Sequence, residues 1–149
     1  MFCAVICFTA LLSHGLSAVS IQELIDTNKI PVIRKGMLNL SNKRINSLKG
    51  LDKIKMIKKV KWLYLNNNQL TTIESEVFRG LESLTSLNLM DNQLTTIKPG
   101  AFQGLGNLRG LSLSNNQLTT IESGAFQGLG NLTYLDLACN KLTTIASKI

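Results

Sequence analysis

A hexapeptide that recurs at a fixed interval constrains this chain more than any other feature. The phrase Asn-Gln-Leu-Thr-Thr-Ile stands at 68–73, 92–97 and 116–121, and the copy at 140–145 differs only by Lys in place of Gln. The four copies begin 24 residues apart. A period in the range of about 20–50 residues is typical of a solenoid, in which each repeat covers the apolar face of its neighbour.

Apolar residues keep the same register around each copy of the phrase. Two leucines separated by one residue precede every copy: Leu63/Leu65, Leu87/Leu89, Leu111/Leu113 and Leu135/Leu137. This alternation predicts a short strand with one buried face. The regular return predicts that successive strands stack in parallel, about 4.8 Å apart. Phe78, Phe102 and Phe126 recur on the returning segments, and we expect their rings to stack inside the coil.

The pattern Leu-x-x-Leu-x-Leu-x-x-Asn-x-Leu with a downstream Phe resembles the leucine-rich repeat family, in the 24-residue form common among extracellular members. The resemblance implies an α/β fold, a right-handed solenoid forming a horseshoe segment with a curved parallel sheet on its concave face. It implies a repeat domain over 37–149. The repeats are a divergent one at 37–59, then 60–83, 84–107, 108–131 and a partial one at 132–149.

An asparagine follows each predicted strand, where the backbone must turn. These residues are Asn68, Asn92, Asn116 and Asn140. An inward amide both donates and accepts hydrogen bonds, so the pattern predicts a structural ladder that satisfies backbone groups of the turns. We expect Asn92→Ala to destabilise the fold and Asn88→Ala, on the outward side, to leave it unchanged. Lys43 holds the ladder position of the first repeat, so that turn must be satisfied differently.

The N-terminal residues are predicted to form a targeting segment followed by a cap. Residues 1–18 are largely apolar and carry no Lys, Arg, Asp or Glu, which predicts a signal peptide over 1–20 and a secreted or extracytoplasmic protein. Cleavage after Ser20 or after Ala18 fits, and the alternative is a buried or membrane-tethering helix. Residues 21–36 are a predicted capping segment: Ser20-Ile21-Gln22-Glu23 is a capping-box pattern, and Pro31 is expected to end the helix.

Basic residues concentrate in the first part of the chain. Residues 1–61 hold 11 basic and 3 acidic side chains, whereas residues 62–149 hold 5 and 6. The lysine cluster, as we call it, comprises Lys53, Lys55, Lys58, Lys59 and Lys61. Apolar residues alternate with it at about helical spacing, so one interpretation is the solvated face of a helical return. The other is a patch for an acidic protein, a sulfated glycan or an anionic lipid surface. No aromatic residues lie between the lysines, which disfavours nucleic acid.

The sequence offers no reaction centre, so no catalytic residue, cofactor or metal is predicted. The one histidine, His14, lies in the predicted signal peptide, and the carboxylates are spread over different repeats. No nucleophile–base set, phosphate loop or metal-ligand spacing is present. Cys3 and Cys7 also lie in the predicted signal peptide. Cys139 is therefore expected to be a lone thiol in a half-buried turn, or alternatively a reactive or intermolecular one.

With no reaction centre predicted, the outward face of the strands is the candidate surface for binding a partner. The repeated Leu, Asn and Phe positions hardly change between repeats, whereas the outward strand positions differ. The outward positions supply these candidate partner-binding residues: Trp62, Tyr64, Asn66, Asn88, Met90, Ser112, Tyr134 and Asp136. Trp62 and Tyr64 are predicted to be exposed aromatics of the type that anchors protein partners, and Ser114 is also expected to face outward. Family members mostly bind proteins through this face, so we predict a non-enzymatic module that recognises a protein, with a glycan as a further candidate ligand.

Two other functions fit the sequence. One is a structural or assembly role, in which the protein self-associates through its C-terminal coil, where Leu132, Leu135, Leu137, Leu142 and Ile145 have no following repeat to cover them. The other is a basic, adhesin-like module that binds anionic surfaces through the lysine cluster.

Overall fold

The computed structural model describes residues 17–145, and every structural statement below refers to them. The secondary structure in chain order is β1 (Val19–Ser20), α1 (Ile21–Asp26), β2 (Met37–Asn39), β3 (Ile45–Ser47), β4 (Trp62–Tyr64), β5 (Ser86–Asn88), β6 (Thr96–Ile97), β7 (Gly110–Ser112), β8 (Thr120–Ile121), β9 (Tyr134–Asp136) and β10 (Thr144–Ile145). Two 3₁₀ turns, Leu51–Lys53 and Ile57–Lys59, lie between β3 and β4.

A five-stranded parallel sheet runs through the repeats in the order β2-β4-β5-β7-β9. Its register places Leu38, Leu63, Leu87, Leu111 and Leu135 side by side. The first four are almost completely buried, so the alternation Leu-x-Leu points one leucine row into the core and the intervening residues outward. The predicted leucine-rich repeat solenoid with a parallel sheet is confirmed.

A second parallel sheet, of β6, β8 and β10, was not predicted. It forms where the Thr-Thr-Ile of the hexapeptide comes into register, with Thr120 opposite Thr96 and Ile121 opposite Ile97. β-Branched residues favour extended backbone. Each strand is only two residues long, too short to show a recognisable alternation.

The core lies between the two sheets and the returning segments. Phe78 and Phe102 are fully buried, and their ring centroids are 6.1 Å apart with planes 11° from parallel. Phe126 continues the stack, 5.9 Å from Phe102 at 8°. The predicted aromatic stack is confirmed, and it links consecutive repeats on the side away from the leucine strands.

The N-terminal segment folds over the first repeat. The Ser20 hydroxyl accepts from the Glu23 amide at 3.2 Å, and the Glu23 carboxylate accepts from the Ser20 amide at 2.6 Å, which forms the predicted capping box. Ile21 and Leu24 are buried, and β1 pairs in parallel with β3. A cleavage after Ser20 would cut this cap, whereas one after Ala18 would leave it intact.

Helix α1 ends earlier than Pro31, at Asp26. Asn28 has a left-handed φ of 53°, its amide donates to Ile25 O at 2.9 Å, and the Lys29 amide donates to Leu24 O at 2.7 Å. This is a Schellman motif with Asn at the left-handed position. The expectation that Pro31 terminates the helix is therefore wrong, because local hydrogen bonds close it first.

The segment that carries the lysine cluster forms two 3₁₀ turns rather than an α-helical return. Leu51, Ile54, Ile57 and Val60 are all buried. They recur every third residue, which matches the 3.0 residues per turn of a 3₁₀ helix better than the 3.6 of an α-helix. Met56, between the two turns, has a φ of 65°, and this left-handed residue prevents the turns from merging.

Candidate functional site

The concave face, meaning the side of the five-stranded sheet turned away from the leucine core, presents two rows of side chains. The register of the strands defines both rows. The first row is Met37, Trp62, Ser86, Gly110 and Tyr134. The second row is Asn39, Tyr64, Asn88, Ser112 and Asp136. Met37 and Asn39 were missed by the sequence analysis, although Leu38 between them signals the strand.

The first row has large apolar side chains at its ends and small ones in its middle. Trp62 is 38% exposed and Tyr134 is 61% exposed. Ser86 and Gly110 lie on the two strands between them, so the aromatic side chains are about three strand spacings, roughly 14 Å, apart. The row therefore forms a shallow trough with an aromatic wall on each side.

Tyr64 is less exposed than expected. It is half-buried in β4, so Trp62 is the one exposed aromatic of that strand. The aromatic pair that a partner can reach is Trp62 with Tyr134, from strands β4 and β9, and not the predicted pair Trp62 with Tyr64. Sequence alternation gives the direction of a side chain, but its exposure depends on the size of its neighbours.

The second row is polar, and part of its polarity is already used. Asn88 Oδ1 accepts from the Met90 amide at 2.9 Å, and Asp136 Oδ1 accepts from the Ala138 amide at 3.0 Å. Ser112 Oγ lies 3.5 Å from Asp136 Oδ2. The Asn88 side chain therefore also holds a backbone group of its own turn, and the effect of Asn88→Ala on stability stays a prediction. Both Asp136 oxygens and the Ser112 hydroxyl therefore already take part in a hydrogen bond, and their remaining lone pairs can accept from a partner.

Residues just past the strands contribute less than predicted. Asn66 and Met90 are half-buried. Ser114, expected to face outward, is only 5% exposed, because its hydroxyl turns toward Ser112 Oγ at 3.2 Å. The usable concave face is consequently concentrated on the strand residues themselves.

The asparagines of the ladder lie inside the turns. Asn92 Nδ2 donates to Leu65 O at 3.0 Å and to Leu89 O at 3.1 Å, and its Oδ1 accepts from the Leu70 amide at 3.1 Å. Asn68, Asn116 and Asn140 repeat this arrangement in their own coils. Each amide therefore connects two consecutive repeats and is occupied by backbone groups.

The first repeat has no ladder asparagine of its own, since Lys43 holds that position. Asn68 Oδ1 of the next coil accepts from the Lys43 amide at 3.0 Å and from the Ile45 amide at 2.9 Å. The turn also contains Asn39 Oδ1, which accepts from the Ser41 amide at 3.0 Å.

A row of left-handed residues precedes the ladder. Asn67, Asp91, Asn115 and Cys139 all have φ between 53° and 55°, a conformation that Asn and Asp tolerate best. Cys139 is half-buried in its turn, as expected. It is also disulfide-bonded, so the expectation of a lone thiol is wrong.

The lysine cluster lies on the opposite side of the first repeat from the concave face, apart from Lys61, which immediately precedes β4. All five lysines are exposed. Lys53 Nζ donates to Gln22 Oε1 at 3.0 Å. Among the described residues the ion pair that forms is Arg79–Glu76 at 3.8 Å, and none of the five lysines has a carboxylate within 4.0 Å. The cluster is therefore an unneutralised positive surface.

The described part of the chain contains no group of three or more His, Cys, Asp or Glu side chains that could hold a metal ion. No helix in residues 17–145 is long and apolar enough to cross a membrane. His14 lies outside the described residues.

The fold, the leucine register and the asparagine turns together define a leucine-rich repeat solenoid. The profile of the family described as leucine rich repeat matches residues 37–94, 58–118 and 106–148, a span that includes all five strands of the concave sheet. The chain belongs to this family. No curated protein matches it.

Two solved structures show what the chain is similar to. In the crystal structure of a TLR13–ssRNA13 complex, a chain 34% identical to this one superposes with a TM-score of 0.64. In the crystal structure of an LRIM1/APL1C complex, the identity is 31% and the TM-score is 0.66. Each match covers 72% of this chain but only 15% and 20% of those chains, respectively. The chain therefore corresponds to a short part of these proteins.

Proposed function

We propose that this protein is a non-enzymatic recognition module that binds a protein partner through its concave face. The observation that carries the proposal is the first row, where exposed Trp62 and Tyr134 stand on either side of the small residues Ser86 and Gly110. Exposed aromatics that flank a depression are typical anchors of protein interfaces, since each buries a large area at low entropic cost.

The polar second row supports the same proposal. The remaining acceptor capacity of the Asp136 carboxylate and the Ser112 hydroxyl can supply the directional hydrogen bonds that a protein interface needs about once per 100–200 Å². Membership of the leucine rich repeat family, and similarity to one structure that is a complex of two proteins, favour a binding role.

Single-stranded RNA is a less suitable partner for this surface. The TLR13 structure is a complex with RNA, but neither row of the concave face carries a Lys or an Arg. Nucleic-acid binding depends on neutralising phosphates with basic side chains. Asp136 in the second row would repel a phosphate backbone.

We also propose that the protein works outside the cytoplasm after a cleavage at Ala18. The largely apolar, uncharged residues 1–18 and the folded cap that begins at Val19 support this position. Mass determination of the secreted mature N-terminus tests it, and a mature chain that starts at Ile21 would contradict it.

The test of the binding role is affinity capture from extracellular fluid with the full chain as bait. The variant Trp62→Ser/Tyr134→Ser removes both anchors without touching buried residues. The matched control, Val32→Thr/Met56→Asn, removes two exposed apolar side chains that lie off the concave face. We expect specific proteins that the parent and control baits retain and that the concave variant loses. Retention that is unchanged in the concave variant would contradict the proposal.

One observation favours assembly as a second function. In the register of the leucine strands, Leu63, Leu87 and Leu111 are at most 1% exposed, whereas Leu135 is 38% exposed. Apolar area on a strand of this kind favours association. Self-association would therefore involve β9, and it would leave Trp62 on the concave face free.

A further inference from the structure

A groove separate from the concave face lies between the N-terminal cap and the first repeat. Its volume is about 400 Å³, within the range of roughly 300–1,000 Å³ found for small-molecule sites. One wall is the end of α1 and the chain after it, and the other is the segment between the two 3₁₀ turns. The apolar residues that line it include Ile25, Ile30, Val32, Ile33, Ile54 and Met56.

Two of these side chains are unusually exposed for their size. Val32 is 74% exposed and Met56 is 53% exposed, and both border the same groove. Single exposed apolar residues are common on protein surfaces, but a contiguous apolar depression with exposed edges is typical of a binding site.

The backbone at Met56 gives this observation more weight. Its φ of 65° places it in the left-handed region, which costs a bulky residue free energy and would be better filled by Asn or Gly. Asn28, on the other wall, occupies the same conformation with φ 53°. The methionine side chain therefore has no local conformational advantage, and what it adds is apolar surface to the groove.

The polar side chains of the lining are cationic or neutral. They belong to Lys53, Lys55 and Asn28, and no carboxylate lines the groove. Lys53 Nζ is oriented by its hydrogen bond to Gln22 Oε1 at 3.0 Å. Since no carboxylate lies within 4.0 Å of either lysine in the described structure, the groove combines an apolar floor with an unneutralised positive rim.

We propose that this groove binds one anionic amphiphile, a monocarboxylate with a medium-length apolar chain. The chain lies on the apolar floor beside Ile54 and Met56, and the carboxylate lies near the ammonium groups of Lys53 and Lys55. A bound peptide would need partners for its backbone amides and carbonyls. Apart from the lysines, only Asn28 offers a side chain for that purpose, so a ligand with a single charged end fits better.

The test uses nuclear magnetic resonance of the full chain labelled at the methionine methyl groups. The described methionines are well placed for it, since Met56 lines the groove while Met37 and Met90 belong to strands or turns of the concave sheet. Dodecanoate is titrated below the concentration at which it forms micelles. We expect a saturable shift of the Met56 methyl signal and unchanged signals for Met37 and Met90.

Matched ligands and variants test the chemistry. Dodecanol and dodecyltrimethylammonium, which keep the chain without the negative charge, should bind at least tenfold more weakly. Lys53→Gln/Lys55→Gln should weaken dodecanoate to the same extent by calorimetry, and Met56→Asn, which suits the left-handed backbone, should also weaken it. Met37→Thr, an exposed methionine off the groove, should bind as the parent does. Unchanged methyl and amide spectra outside the groove establish that each variant is folded.

Several results would overturn the proposal. These are the absence of a saturable Met56 shift, equal shifts at all three methionines, or equal affinity for dodecanol. A response to phosphatidylserine vesicles with none to monomeric dodecanoate would assign the groove to a lipid surface instead.

Discussion

At the scale of single residues, the asparagine ladder supplies the buried polar contacts that hold the turns together. Asn92 is 7% exposed and bonds to backbone groups of its own repeat and of the preceding repeat. Removing its amide leaves the buried Leu70 N–H without its partner, which costs about 1–3 kcal/mol. It also takes one of the two amide donors from the carbonyl of Leu65 and from that of Leu89.

We therefore expect Asn92→Ala to lower the free energy of unfolding by at least about 1–3 kcal/mol. The control is Ser86→Ala, a half-buried residue in the first row of the concave face, which should change stability by less than about 0.5 kcal/mol. Chemical denaturation compares the two variants. Equal losses would show that the ladder is not a special support of the turns.

Residue-scale prediction from the sequence succeeded where spacing decides the outcome and failed where neighbours do. The period of 24 places Asn92 in a turn regardless of its surroundings. By contrast, Asn88 has the same side chain, but only the structure shows that its oxygen accepts from the Met90 amide. The exposure of Tyr64 and the burial of Ser114 likewise depend on neighbouring coils that one repeat does not specify.

At the scale of elements, the capping box of α1 ties the cap to a titratable group. The Ser20 amide and, to a smaller extent, the Ser20 hydroxyl donate to Glu23 and hold the pKa of its carboxyl below the ordinary 4.5. A lowered pKa means that the folded state prefers the charged form. The stabilisation is therefore present above the unfolded value and is lost as the pH falls through the folded one.

We expect the parent chain to lose stability as the pH falls below 4.5, by a margin that Glu23→Gln reduces, because glutamine keeps a capping acceptor but does not titrate. Denaturation at several pH values measures this difference. Glu82→Gln, at an exposed glutamate outside any cap, serves as the control. A pH profile that Glu23→Gln leaves identical to that of the parent would contradict the assignment.

The phenylalanine stack is the second element whose role can be measured. Phe102 lies between two rings and is fully buried, whereas Phe126 at the end of the stack is half-buried. We expect Phe102→Ala to cost about 3–5 kcal/mol through the cavity it leaves. Phe126→Ala should cost distinctly less by the same denaturation measurement, and an equal or larger loss at Phe126 would contradict a stack that supports neighbouring repeats.

Secondary-structure elements could likewise be predicted from the sequence where a regular spacing specifies them, and could not where it does not. The Leu-x-Leu strands and the stacked rings were predictable because a period of two and a period of 24 each fix geometry. The sheet of β6, β8 and β10 was not, because Thr-Thr-Ile is compatible with turns as well as strands. The lysine segment was predicted as helical, and its strict spacing of three at Leu51, Ile54 and Ile57 is the signal that favours 3₁₀ turns.

At the scale of the whole molecule, the leucine row becomes exposed toward β9. Since Leu135 is 38% exposed, we expect the weight-average mass in sedimentation to rise with protein concentration. Leu135→Thr, which suits a strand but is less apolar, should reduce this association. Val32→Thr, at an exposed apolar residue on another surface, should not. A parent chain that remains monomeric at tens of micromolar would remove the assembly alternative.

Binding of a partner to the concave face is tested most directly by oxidative footprinting. Hydroxyl radicals modify exposed methionine and aromatic side chains, and the chain carries reporters on both surfaces. Met37, Trp62 and Tyr134 lie in the first row, whereas Met56 lies in the groove. With the captured partner bound, we predict that Met37, Trp62 and Tyr134 become protected and that Met56 keeps its rate of modification. Protection of Met56 with unchanged rates at Trp62 and Tyr134 would contradict the claim.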